Sequence, residues 1–166
     1  CRTDRTTLAG VSTQRVAPAH EIVWTIVVAG GSGRRFGGPK QYESLGALRV
    51  LDWAVAAARD ASDGVVLVVP AEDAQREGGV PGGATRAESV RAGLAAVPAE
   101  ATIICVHDGA RPFAGGDVFA RVIGAVAAGA DAAIPGTTVA DTIKQIDAEG
   151  TVTNTPARDG LRAVQT

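Results

Sequence analysis

Methionine is absent from this sequence at every position, the first included, and aromatic residues make up only 4% of it. The first absence leads us to expect part of a longer reading frame. The second excludes a core built on bulky rings. Alanine and valine carry most of the 46% hydrophobic fraction, which suits closely spaced helices and strands in one domain. No apolar run approaches the ~20 residues that a bilayer-spanning helix requires, so no membrane partner is expected. Positive charge is not in surplus either. The net charge is −2 and the pI about 5.7, so no global basic field recruits nucleic acid and any affinity for phosphate has to be local. The two cysteines, Cys1 and Cys105, form no metal-binding spacing. Cys105 lies in the apolar run "TIICVHD" and reads as a buried free thiol, which fits a reducing cytoplasm. Residues 1–20 read as an irregular polar tail without the hydrophobic stretch of a secretory signal, although their Arg, Ser and Thr content leaves an organellar transit segment open.

What is present alternates. "IVWTIVV" (22–28), "VVLVV" (65–69), "TIICV" (102–106) and, more weakly, "AAIP" (132–135) read as buried strands. Helical patterns lie between them. One carries Leu48, Leu51, Val55 and Ala58 on one face, and another Val90, Leu94 and Val97. Thr85 with Glu88 three residues on opens the second as a capping box. A third helix, with Val118, Val122 and Ala125 in a stripe, has Asp117 as its expected cap. Near-continuous apolar strands separated by helices predict an α/β fold, with a mostly parallel sheet covered by helices on both faces. Ligands of such sheets bind beyond the carboxyl ends of the strands. Residues 137–160 break the rhythm by alternating β-branched and polar residues around "AEG". This is a predicted hairpin, either a solvated surface feature or an arm reaching over a neighbouring subunit or the active site.

The stretch "VVAGGSGRRFGGPKQY" (27–42) follows the first strand. Its glycines let backbone N–H groups approach an anion without a Cβ in the way. A dinucleotide fingerprint beginning at Gly31 would need glycine where Phe36 stands. A Walker loop would need Gly-Lys-Ser/Thr, but Pro39 precedes Lys40 and Gln41 follows it. Arg34, Arg35 and Lys40 in one loop suit a polyphosphate clamp, against the alternative of solvated surface charges. Three further stretches fall at strand ends or helix starts. "GGATRAES" (82–89) sets two glycines, Arg86 and Ser89 around a capped helix start. "HDGARPF" (107–113) follows the third strand, where Asp108 is a hard oxygen ligand suited to Mg²⁺ beside a phosphate, and His107 reads as a loop residue. "RDGLRAVQT" (158–166) offers Arg158 and Thr166. Together these stretches describe a nucleotide site.

In order and spacing, "AGGSGRRFGGPKQY", "GGATRAESV", "VHDGARPF", "DTIK" and "RDGLRAVQT" resemble the 2-C-methyl-D-erythritol 4-phosphate cytidylyltransferases of the non-mevalonate isoprenoid pathway. The resemblance covers roughly residues 22–166. It implies a Rossmann-like nucleotidyltransferase domain over 21–166, C-terminally incomplete, with a protruding β-arm at about 137–157. It also implies a cytoplasmic, Mg²⁺-dependent enzyme that transfers CMP from CTP to methylerythritol phosphate and releases pyrophosphate. By the same resemblance Ala29, Gly30 and Gly33 wrap the triphosphate, while Arg35 and Lys40 stabilise charge on the α-phosphate as the catalytic pair. Gly83, Arg86 and Ser89 recognise cytosine and ribose, and Asp108 meets Mg²⁺. Thr142, Arg158 and Thr166 bind methylerythritol phosphate with Arg111 beside them, the arm being donated across a homodimer. The family's chain runs several tens of residues past this "QT", with an acidic residue near the metal and a lysine at the substrate phosphate.

The nucleophile in such a reaction is the substrate's own phosphate, which carries about −1.5 to −2 charge at pH 7. No general base is needed, and the lack of a Ser/His/Asp set is expected. Catalysis is then positioning plus electrostatics. Two alternatives stay open: a cytidylyltransferase acting on ribitol 5-phosphate, and a non-catalytic nucleotide-binding subunit. A NAD-binding domain fits poorly, because the second strand ends "VVPAED", with Pro70 where a ribose-binding acid would follow.

Overall fold

Six apolar or β-branched residues, "VWTIVV", form the first strand, β1 (Val23–Val28). The computed structural model describes residues 20–31 and 37–164. After β1 come a small ribbon of β2 (Ser44–Leu45) and β3 (Leu48–Arg49), then helix α1 (Val50–Ala61) and β4 (Gly64–Val69). The short helix α2 (Ala74–Glu77) and β5 (Val80–Pro81) lead to α3 (Arg86–Ala95), β6 (Ile103–Asp108) and α4 (Gly116–Ala127). The final stretch holds β7 (Gly136–Thr138), β8 (Gln145–Ile146), β9 (Val152–Asn154) and β10 (Arg162–Val164).

The main sheet is parallel in the order β5-β4-β1-β6, with β1 inside it. Side chains alternate across a strand, so β1 feeds two cores. Val27 and Ala29 pack with Leu51, Val55 and Ala58 of α1 and Phe119 of α4. Ile26 and Val28 pack with Val66 and Val68, beneath Val90 of α3. Helices therefore cover both faces, as the strand pattern requires.

Several expectations are corrected. Residues 132–135 form no strand; Pro135 has no N–H to give a ladder, and the segment lies unpaired along a groove beside β6. Leu48 belongs to β3, and α1 begins only at Val50. On α3 the buried positions are Ser89 and Gly93, while Leu94 is exposed and Val97 lies beyond the helix. The cause is a close approach: a Cβ on Gly93 would stand 2.4 Å from Ile26 Cγ2, so the smallest residue faces the sheet. On α4 the buried residue is Phe119, Ala125 is exposed, and Gly115 occupies the N-cap. Asp117 sits inside the first turn and pairs with Arg121 at 3.1 Å. β6 runs on to Asp108, which makes His107 a strand residue, buried edge-on against Phe119 at 5.3 Å between ring centroids. Burial pushes the His107 pKa below its usual value.

The Thr85–Glu88 capping box is present, with each side chain accepting from the other's backbone N–H. The hairpin around "AEG" forms as well. β8 pairs with β9, and Asp147 closes the turn by accepting from the N–H of Thr151 at 2.7 Å. Gly150 takes the left-handed φ of +85° that this turn needs. A second antiparallel ladder, β7 with β10, lies at the base, so the strand pairs of the arm extend from Gly136 to Val164. Cys105 is a free, half-buried thiol whose pKa burial raises, and no helix among the described residues is long and apolar enough to cross a membrane.

Candidate functional site

Three loops leave the sheet side by side, because the strand ladder continues one residue into each. Ala29 N–H donates to Val68 O at 2.7 Å, Gly82 N–H to Val69 O at 2.8 Å, and Gly109 N–H to Val28 O at 2.9 Å. Ala29–Gly31, Gly82–Thr85 and Asp108–Arg111 are thereby gathered at the carboxyl ends of β1, β5 and β6, the first two strands flanking β4. Two glycines are required for this closeness. A Cβ on Gly82 would stand 2.9 Å from Ser89 Oγ, and one on Gly109 would stand 2.9 Å from Ala29 Cβ.

Ser89 is the joint between two of the loops. Its buried hydroxyl accepts from Gly83 N–H at 3.2 Å and donates to Thr85 O at 3.0 Å, so it shapes the 82–85 turn from within. A Cβ on Gly30 would lie 3.6 Å from the same oxygen, which puts the first glycine loop against it. A Cβ on Gly83 would collide with Glu88 at 2.3 Å, so this turn too needs a bare backbone. Arg86 begins α3 with its side chain exposed, and it shares with Asp108 and Arg111 the lining of a groove of about 600 Å³ beside β6.

Asp108 ends β6 with its carboxylate half-exposed. Oδ1 accepts from Ala110 N–H at 3.0 Å, and Oδ2 lies 3.6 Å from Arg111 Nε. No cluster of three or more His, Cys, Asp or Glu among the described residues is arranged to hold a metal. One hard oxygen donor beside a glycine-rich loop suits Mg²⁺, which dehydrates reluctantly and takes most of its remaining ligands from phosphate and water.

Lys40 opens a 3₁₀ turn (Lys40–Tyr42) with its side chain exposed. The turn is held from both sides by residues that sequence reasoning did not select. Gln41 is buried and donates from Nε2 to Ala29 O at 3.0 Å and Gly31 O at 3.2 Å. Tyr42 donates to Asp73 Oδ2 at 2.7 Å, and the guanidiniums of Arg76 and Arg49 lie 5.1 and 5.6 Å from its ring centre. Burial and the Asp73 carboxylate raise the Tyr42 pKa, so it stays a neutral donor.

Ala29, Gly30, Gly83, Arg86, Ser89, Asp108 and Arg111 are thus brought together, with Lys40 tied to them through Gln41. Thr142 and Arg158 stand apart on the exposed arm, where Arg158 donates to Ala140 O. Gly33, Arg34, Arg35 and Thr166 lie outside the described residues, as do residues 1–19 of the expected tail.

Residues 23–166 match the family model described as 2-C-methyl-D-erythritol 4-phosphate cytidylyltransferase. A Frankia casuarinae protein of that name is 41% identical over 164 residues, covering 92% of this chain and 62% of its own length. A Solidesulfovibrio magneticus protein named bifunctional enzyme IspD/IspF is 43% identical, over 87% of this chain and 42% of its own length. The chain thus spans about three fifths of one relative and two fifths of the other. The crystal structure of 4-diphosphocytidyl-2C-methyl-D-erythritol synthase from Anaerococcus prevotii superposes with a TM-score of 0.76 at 30% identity, covering 88% of this chain and 68% of that one. The sheet order, the glycine loop after its inner strand and the run of matching residues agree with one another, and the chain belongs to the 2-C-methyl-D-erythritol 4-phosphate cytidylyltransferase family.

Proposed function

We propose that this chain transfers CMP from CTP to 2-C-methyl-D-erythritol 4-phosphate. An oxygen of the acceptor's phosphate attacks the α-phosphorus, the bond to the β-phosphate breaks, and pyrophosphate leaves. One observation carries the reading: the glycine loop tied to Lys40, the Gly82–Thr85 turn and Asp108 converge at the carboxyl ends of β1, β5 and β6 in one parallel sheet. The loop backbone at Ala29, Gly30 and Gly33 receives the triphosphate. Lys40 and Arg35 neutralise charge on the α-phosphate, where a preorganised donor is worth about 10²–10³ in rate. The bare turn at Gly83, shaped by Ser89, leaves room for a pyrimidine, with Arg86 beside it. Mg²⁺, held by Asp108, would screen the phosphates when bound.

Thr142, Arg158 and Thr166, with Arg111, take the methylerythritol phosphate. The arm bears Ile143, Ile146, Val152 and Val164 exposed, and we assign it to the partner in a homodimer, over whose site it places Thr142 and Arg158. The free Cys105 thiol supports a cytoplasmic setting.

The test is pyrophosphate release from CTP and Mg²⁺ with methylerythritol phosphate or ribitol 5-phosphate, on this chain and on Lys40→Ala. The reading requires release that depends on methylerythritol phosphate and falls at least 10²-fold in the variant. Release with ribitol phosphate alone overturns the acceptor. Binding of CTP with no release from either acceptor overturns the catalytic reading of this chain.

A further inference from the structure

Gln41 makes an unusual pair of contacts. It is only 4% exposed, and its single amide nitrogen donates to two main-chain carbonyls that flank Gly30, those of Ala29 at 3.0 Å and Gly31 at 3.2 Å. A primary amide carries two N–H donors, so both bonds form at once. The described peptide bonds are trans, so each N–H points opposite to the carbonyl of its own peptide unit. Holding Ala29 O inward therefore turns the N–H of Gly30 away from the buried Gln41 amide.

The same residue follows Lys40 directly. The turn around it is closed by Lys40 N–H to Gly38 O at 2.8 Å and Tyr42 N–H to Pro39 O at 3.0 Å. Tyr42 is in turn fixed to Asp73. The separation between the glycine loop and the lysine backbone is thus set by the Gln41 side chain, across twelve positions of chain.

We propose that Gln41 is a positioning residue for nucleotidyl transfer: its amide sets the register between the glycine loop and Lys40, so that both address the same phosphate. This rests on the reading above that loop and lysine bind the triphosphate. Gln41→Met keeps the volume and removes both donors. Gln41→Glu puts a carboxylate, an acceptor only, against two carbonyl oxygens.

The test is a double-mutant cycle on the full chain, comparing wild type, Gln41→Met, Lys40→Ala and the double variant. Steady-state kinetics, CTP affinity by calorimetry and melting temperature are recorded for each, and Gln41→Glu is measured alongside. Displacing a positioned group by about 1 Å costs up to roughly 10²-fold. We expect Gln41→Met to lower kcat/KM for CTP by about 10–100-fold and to leave KM for the acceptor phosphate unchanged. We expect Gln41→Glu to lower it further, and most of the Gln41→Met loss to vanish when Lys40 is already alanine. Wild-type kcat/KM in Gln41→Met overturns the proposal. So does a loss that is fully additive with Lys40→Ala, or a fall in melting temperature with kinetics intact. If the wild type binds CTP without turnover, the catalytic reading has failed on its own. The cycle is then read in CTP dissociation constants, where unchanged affinity in Gln41→Met overturns the positioning role.

Discussion

Tyr42 donates its hydroxyl to Asp73 Oδ2 at 2.7 Å, and this bond joins the turn that carries Lys40 to the segment between β4 and α2. Removing it should be mild. In Tyr42→Phe, Asp73 keeps its ion pair with Arg76 at 2.9 Å and the ring keeps both guanidinium contacts. We expect a loss of about 0.5–1.5 kcal/mol by urea denaturation. A larger loss would mean that the aspartate has no effective second partner.

Arg49 grips two carboxylates at once. Glu77 takes both terminal nitrogens at 2.9 Å, and Asp52 takes Nε and Nη2 at 3.0 and 2.8 Å. The hydrogen bonds from Arg49 hold both carboxylates below their ordinary pKa values. A depressed folded-state pKa gives stability that is present above the unfolded-state value and is lost as pH falls through the folded one. Urea denaturation should therefore show stability falling below about pH 4.5, with the slope reduced in Arg49→Met. At pH 7 that variant should lose about 1–3 kcal/mol, toward the low end because Arg49 is partly solvated and Arg76 still donates to Glu77.

Two helical glycines should respond with opposite signs. Gly93→Ala forces a Cβ into Ile26 and should cost about 1–3 kcal/mol. Gly124→Ala adds its Cβ in open space on α4 and should stabilise by up to about 1 kcal/mol. Thermal melts of the two variants side by side check both.

Ser89→Ala removes the acceptor of Gly83 N–H and the donor to Thr85 O. The 82–85 turn then loses its internal brace. KM for CTP should rise roughly tenfold, the equivalent of about 1.4 kcal/mol, with KM for the acceptor phosphate unchanged. An equal rise in both would place Ser89 in general folding instead of nucleotide recognition.

Much of this architecture can be read from the residues alone, for identifiable reasons. β1 and β4 are continuous apolar runs because helices cover both their faces, whereas β6 is apolar although its Ile104 and Val106 stay exposed, and the Thr85–Glu88 cap is a local pattern with a local cause. The failures have a different origin. "AAIP" has the composition of a strand, yet only pairing makes one, and Pro135 cannot complete a ladder. Leu94 outranks Gly93 on any hydrophobic count, but closest approach selects the smallest side chain. Gln41 and Arg49 act across gaps of 12 and 28 positions, where no periodicity exists to reveal them. Within the candidate site, the bare turns were legible as glycines and Ser89 as part of the capped helix start, whereas Gln41, which braces the glycine loop, was not.

The interior position of β1 also bears on how the chain acquires its structure during synthesis. The backbone of Val23 is bonded to a partner 40 positions later, and that of Ile22 to one 80 positions later. Such distant closures cost entropy before they return contacts, which slows folding. β4 can close one edge of β1 once Val69 has left the ribosome, but the other edge waits unpaired until β6 has followed as far as Asp108. During that interval the exposed apolar edge of β1 is a site where a chaperone would be of use.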